Sequence, residues 1–189
     1  MSQSALREML RETPVICAVK SVEGLERCLT CESKIVFVLF GDVLSIEGVV
    51  SKIRAAGKFA FVHIDLIEGL ASRDVSVDYL ARSTQVSGIL STKSNIVRRA
   101  KSLGLFTVQR FFVLDSMALV NIKKQIPFDF ADAIEVLPGP MPKVIKRVAG
   151  FTNKPVIASG LINDKEDVMG SLGAGAMSVS SSNSEVWFL

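Results

Sequence analysis

Eight short runs of Val, Ile, Leu and Phe recur along the chain, over 14–19, 34–40, 58–65, 87–90, 105–110, 131–137, 155–159 and 176–180. Each is nearly continuous in apolar character, the pattern of a parallel strand covered on both faces. The segments between them carry helical spacing. Ile46, Val49, Val50 and Ile53 follow i, i+3, i+4, i+7, and Val144, Ile145 and Val148 follow it in shorter form. Gly57, Gly104 and Gly150 fall where a left-handed helix terminus is expected. Asp164, with Asp167 three residues on, is close to a capping box. Eight strand–helix units predict an α/β fold, a (β/α)8 barrel of the TIM type forming a single domain over 1–189. A doubly wound open sheet is the alternative, because strand order is not written in one sequence.

In such a barrel, chemistry gathers at the carboxyl ends of the strands. The last two apolar runs end in small polar residues, Ser159-Gly160 and Ser180-Ser181-Ser182. Small side chains at a strand exit let a ligand approach main-chain N–H groups, and an N–H row opening a helix favours anions. Two adjacent exits of this kind predict a phosphate site.

Alternation assigns the rest of the rim. Phe59, Phe61, His63 and Asp65 share one face of the third strand, expected to be the lumen. Glu135, between Ile134 and Val136, should also point inward, and so should Gln109 with Thr107. The upper rim would then hold His63, Asp65, Gln109 and Glu135, with Lys20, Lys93 and Arg110 nearby. Inward carboxylates are rarely buried without a partner, so Asp65 and Glu135 would meet a ligand or metal, or pair with Arg110 or Lys20. Lysine and carboxylates at a barrel mouth suit isomerase or Schiff-base chemistry. The same groups also suit a pocket that only holds a polyol phosphate. Residue types leave both open.

Composition narrows the class more than the function. A chain of 189 residues with 49% hydrophobic and 22% charged residues can bury a sizeable core, and its net charge of +3 allows an anionic partner without requiring one. The opening residues show no secretion signal, and no apolar stretch approaches membrane-spanning length, which predicts a cytoplasmic chain with no membrane partner. Three cysteines argue against a disulfide framework. Cys28 and Cys31 stand at C-x-x-C spacing, but they close a helix rather than open one, so packing is expected and neither a metal nor a cofactor is.

Several blocks carry a resemblance: Val62-His63-Ile64-Asp65-Leu66-Ile67-Glu68-Gly69-Leu70, the stretch from Gly88-Ile89-Leu90-Ser91-Thr92-Lys93 through Val108-Gln109-Arg110-Phe111-Phe112 to Ser116, Glu135-Val136-Leu137-Pro138-Gly139, Gly160-Leu161-Ile162, and Ser181-Ser182-Asn183 with Trp187. Over about 14–189 the chain resembles the glycerol-uptake operon antiterminator regulatory proteins, while the first thirteen residues match nothing. The resemblance implies a non-catalytic barrel that responds to glycerol 3-phosphate and acts on leader mRNA of glycerol-utilisation genes. It places the phosphate at Gly160, Leu161, Ser180 and Ser181, and the glycerol end near Asp65 and Glu135. Where relatives show Gly-Gly after the seventh strand, this chain has Ser159-Gly160. Candidate RNA contacts are Arg98-Arg99-Ala100-Lys101, Lys123-Lys124, Lys143 with Lys146-Arg147, and Phe111-Phe112, which could stack on unpaired bases. A phosphosugar isomerase or aldolase-like enzyme is the alternative function, and a homo-oligomer is compatible with either.

Overall fold

The computed structural model of the chain describes residues 3–126 and 130–189; Met1, Ser2 and 127–129 lie outside the described residues. Eight parallel strands close a barrel in sequence order: β1 Val15–Val19, β2 Ile35–Val38, β3 Phe59–His63, β4 Gly88–Ser91, β5 Phe106–Phe112, β6 Ala133–Leu137, β7 Val156–Ser159 and β8 Ser178–Ser181. Closure runs through β1 and β8, with Cys17 level with Ser181. The expected barrel is therefore the observed one, and the open sheet is not.

Two apolar layers hold it. Outward strand residues such as Val38, Val62, Ile89, Val136 and Val179 pack under the helices. Those helices are α2 Val22–Cys28, α3 Ile46–Ala55, α4 Asp74–Ser83, α5 Ser94–Ser102, α6 Ser116–Gln125, α7 Pro142–Ala149 and α8 Lys165–Gly173. The expected stripes are the buried ones, Ile46, Val49, Val50 and Ile53 on α3 and Val144, Ile145 and Val148 on α7. Asp164 caps α8 by accepting from the Asp167 N–H at 2.9 Å.

The lumen floor is filled by Ile16, Ile35, Phe37, Phe61, Phe106, Val108, Ala133 and Ile157. Gly88 is required there: a Cβ would lie 2.5 Å from the Phe61 ring. An element before the first strand completes the plug. Helix α1, Gln3–Glu12, sends Leu6 and Leu10 into the base of the barrel, 2% and 1% exposed.

Three expectations are corrected. After β8 the chain forms only a 3-10 turn, Val186–Phe188, so the eighth α-helix of the described residues is the one at the amino end. Gly57 and Gly104 do take positive φ, but Gly150 has φ −74 and ends α7 in right-handed geometry. On β5 the faces are reversed. Phe106 and Val108 face the lumen, with Arg110 on the same side, whereas Phe111 packs in the helix layer with Thr107 and Gln109 on its side of the strand. The outward Thr107 is bonded through its hydroxyl, and Gln109 through its amide N–H while its Oε1 is left without a partner among the described residues. The Thr107 hydroxyl meets Asp132 Oδ2 at 3.1 Å, and Gln109 Nε2–H donates to the Thr92 carbonyl at 2.8 Å.

Candidate functional site

Above the aromatic floor the lumen opens into a cavity of about 130 Å³ at the carboxyl ends of the strands. Its lining draws on β1 and its exit (Ala18, Lys20), the β2 exit (Leu39), β5 (Arg110), β6 (Leu137), the end of β7 and its exit from Ser159 to Asn163, and Ser180 to Ser182 of β8 and its exit. All five residues expected to hold phosphate, Ser159, Gly160, Leu161, Ser180 and Ser181, are brought together on this wall. Of the rim set, Arg110 lines the cavity. His63, Asp65, Lys93, Gln109 and Glu135 stand outside the lining.

The β7 exit owes its shape to two successive left-handed residues, Gly160 at φ 72 and Leu161 at φ 61. Glycine is needed at the first, since a Cβ would press to 3.1 Å from Leu137 Cδ2. Holding a leucine in that region costs about 1–2 kcal/mol, and such strain concentrates at ligand sites. The turn leaves the main-chain N–H groups of Gly160, Leu161 and Ile162, with that of Ser182 opposite, donating to no other described residue. The hydroxyl of Ser180, 1% exposed, is buried without a partner. A buried orphan of this kind is costly unless something else bonds it.

The two exits are stitched together behind that wall. Ser181 Oγ–H donates to the Ile162 carbonyl at 2.6 Å and accepts from the Asn183 N–H at 3.0 Å. Asn183 Nδ2–H donates to the Asn163 carbonyl at 2.9 Å, and Trp187 Nε1–H to the Ser181 carbonyl at 2.8 Å. Ser181 therefore faces the site with its backbone, its hydroxyl being spent. Lys20 is exposed and makes no ion pair among the described residues. A row of donors with one free cation suits a phosphate dianion.

The remaining rim residues have protein partners or turn away. Arg110 clasps Glu135, Nε–H to Oε2 at 2.6 Å and Nη2–H to Oε1 at 3.3 Å, both side chains buried. Glu135 points inward as expected, and of the two anticipated outcomes it takes the pairing. Asp65 sits on the 3-10 turn Ile64–Leu66 that follows β3. There it accepts from the Thr92 N–H and from the hydroxyls of Ser72, Ser91 and Thr92, fastening the β4 exit. Burial pushes its carboxyl up, but those donors outweigh burial and hold it below the usual carboxylate range. His63 is 2% exposed with Nδ1 unbonded, and burial, with the Arg110 guanidinium adding to it, pushes its pKa down to about 4. It is a neutral imidazole at pH 7. Lys93 is exposed and precedes α5.

Sequence reasoning missed Asn163 as a lining residue and Trp187 as a brace. An Asn three residues past a Ser-Gly exit was the available signal for the first; the second was marked only by its place in a block that carries the family resemblance. The cysteines are buried, as packing residues should be, but they are not indifferent neighbours. Cys17 from β1 lies 3.3 Å, sulfur to sulfur, from Cys31, and its thiol hydrogen bond lowers the Cys31 pKa while its own rises. Among the described residues no cluster of His, Cys, Asp or Glu could hold a metal ion, and no helix is long and apolar enough to cross a membrane.

The candidate RNA contacts are dispersed. Arg99 pairs with Asp78 and Lys101 with Asp132, while Arg98 stacks 5.1 Å from the Phe130 ring centroid. Lys123, Lys124, Lys143, Lys146 and Arg147 are exposed. The phenylalanine pair divides, Phe111 into the helix layer and Phe112 left 51% exposed at the strand's exit.

Known proteins share this arrangement along nearly the whole chain. An uncharacterised Escherichia coli K12 protein, YgcP, is 40% identical over 184 residues, 97% of this chain and 96% of that one. The crystal structure of a glycerol uptake operon antiterminator regulatory protein from Listeria monocytogenes superposes with a TM-score of 0.87 at 31% identity, covering 92% of this chain and 94% of that one. A glycerol uptake operon antiterminator-related protein from Thermotoga maritima gives 0.80 at 27%, covering 93% and 98%. More distant barrels, at 12–17% identity, share the fold alone. Residues 15–187, from the first strand to the turn that carries Trp187, match the model of the glycerol-3-phosphate responsive antiterminators, and to that family the chain belongs.

Proposed function

We propose that this protein is a glycerol 3-phosphate-responsive transcription antiterminator: a non-catalytic barrel that takes the phosphate at the β7 and β8 exits and, so loaded, acts on leader mRNA of glycerol-utilisation genes. The observation that carries the reading is the cavity wall itself. Unclaimed N–H groups at Gly160, Leu161 and Ser182, the orphan Ser180 hydroxyl and the free Lys20 ammonium converge on one cavity in a chain of this family. Ser159 and the Ser181 backbone complete the phosphate wall, and Arg110 faces the polyol.

Membership of an antiterminator family favours regulation over turnover, and the aldolase-like alternative would rest on Lys20 alone. Among the described residues the wall carries Lys20 and Arg110 but no carboxylate, thiol or imidazole, while the rim carboxylates Asp65 and Glu135 are bonded to protein groups. Regulation by the ligand requires that it bind the RNA-competent state more tightly than the other state. The test is the affinity for leader RNA with and without glycerol 3-phosphate at one salt concentration, because phosphate contacts make every RNA affinity salt-dependent. Tighter binding with ligand is expected, and equal binding would remove the switch.

A further inference from the structure

The inner wall of the cavity has a charge arrangement that bears on which phosphoester it admits. Arg110 and Glu135 stand level with each other across β5 and β6, 8% and 0% exposed. Their two hydrogen bonds form a fork, and only the arginine lines the cavity. A guanidinium has five N–H groups, so three are left over from the pair on a residue that lines the cavity, while its charge is already matched. The neighbouring His63 adds no charge at neutral pH. The other cation on the lining, Lys20, follows β1, which pairs with β8 and so lies on the phosphate side. One side of the cavity is cationic and rich in free N–H groups; the other offers donors without net charge.

We propose, building on the phosphate reading above, that the Arg110–Glu135 pair sets ligand choice: the cavity accepts phosphoesters whose far end is an uncharged polyol and rejects those ending in a carboxylate. Glu135 acts here as a positioning residue, since it fixes and neutralises Arg110 without lining the cavity. A hydroxyl accepts from the spare guanidinium N–H groups and leaves the pair intact. A carboxylate competes with Glu135 for the same cation, and whichever loses is left as a buried unmatched charge, a strongly unfavourable outcome.

Glycerol 3-phosphate and 3-phosphoglycerate make the test clean, because they differ only at the terminal carbon, hydroxymethyl against carboxylate. Their affinities are measured by calorimetry for the unaltered protein, Glu135→Gln, and the double variant Arg110→Gln/Glu135→Gln, at one pH and salt. The unaltered protein should favour the polyol by at least about tenfold. In Glu135→Gln the freed guanidinium takes the carboxylate, and the ratio should move toward 3-phosphoglycerate by at least about tenfold, the scale of a charge-assisted hydrogen bond. Removing both charges should restore the polyol preference. A purely structural Glu135 would weaken both ligands together and leave the ratio unchanged, which overturns the proposal, as does a ratio near one in the unaltered protein. Should Glu135→Gln fail to fold by circular dichroism, the unaltered protein and the double variant decide: a polyol preference in both supports the proposal, a carboxylate preference in either overturns it. If the unaltered protein binds neither ester nor inorganic phosphate, the phosphate reading itself has failed, a result distinct from any change in ratio.

Discussion

Ser180 keeps a hydroxyl in the barrel interior, 1% exposed, with no group among the described residues bonded to it. Without ligand it is a liability; with a phosphate it becomes a donor to an anion. Ser180→Ala should therefore separate two quantities that usually move together. Affinity for glycerol 3-phosphate should fall about tenfold, the loss of one hydrogen bond to a charged group. Stability of the free protein should hold or rise by up to about 1 kcal/mol, since an unsatisfied buried hydroxyl has gone. Calorimetric titration and urea midpoints check both, and a parallel fall in the two would make Ser180 a packing residue.

His63 gives a pH dependence at the same scale. Its pKa is about 4 in the folded protein and 6.5 ordinarily. Between those values the unfolded chain binds the extra proton, so folding stability should decline as pH falls from about 6.5 to about 4 and level off below that. The contribution is on the order of 3 kcal/mol. The stability difference between the unaltered protein and His63→Gln, followed by urea unfolding from pH 7 to pH 4, should shrink by that amount; a pH-independent difference would mean the imidazole is not held neutral.

Elements show where sequence patterning succeeds and where it stops. Alternation placed Glu135 inward because Ile134 and Val136 flank it, and both pack under the helices. On β5 the same logic failed. It assumed a uniformly apolar helix layer, whereas Thr107 and Gln109 are turned outward, Thr107 bonded to Asp132 and Gln109 to the Thr92 carbonyl through its amide N–H alone. Arg110 takes the inward position because its charge is met by Glu135 on the adjacent strand. Pairing across strands decided the face, and no single strand's sequence contains it. Helix α1 was legible in part, since Leu6, Met9 and Leu10 stand at helical spacing, but only tertiary structure shows that the stripe closes the barrel floor. Leu10→Ala should cost about 3 kcal/mol, as buried leucine truncations do. It should leave ligand affinity within about twofold, because the site lies at the other end of the strands. An affinity loss matching the stability loss would tie floor and cavity together.

At the scale of the whole molecule, the small-residue strand exits Ser159-Gly160 and Ser180-Ser181-Ser182 were the legible part of the candidate site, and they line one cavity. What sequence could not supply was the division of labour around them. Asp65, Gln109 and Ser181 give their side chains to stitching strand exits, Glu135 gives its own to Arg110, and Lys20 is left free beside the N–H row. The exposed cations of α6 and α7, Lys123, Lys124, Lys146 and Arg147, are distributed over helices rather than gathered at the cavity.

A crystal structure of the protein grown with glycerol 3-phosphate tests the central claim most directly. The account predicts phosphate density between residues 160–162 and 180–182, within hydrogen-bond reach of the Ser180 hydroxyl and the Gly160 N–H. Phosphate density elsewhere on the barrel, or an empty cavity at saturating ligand, would contradict it.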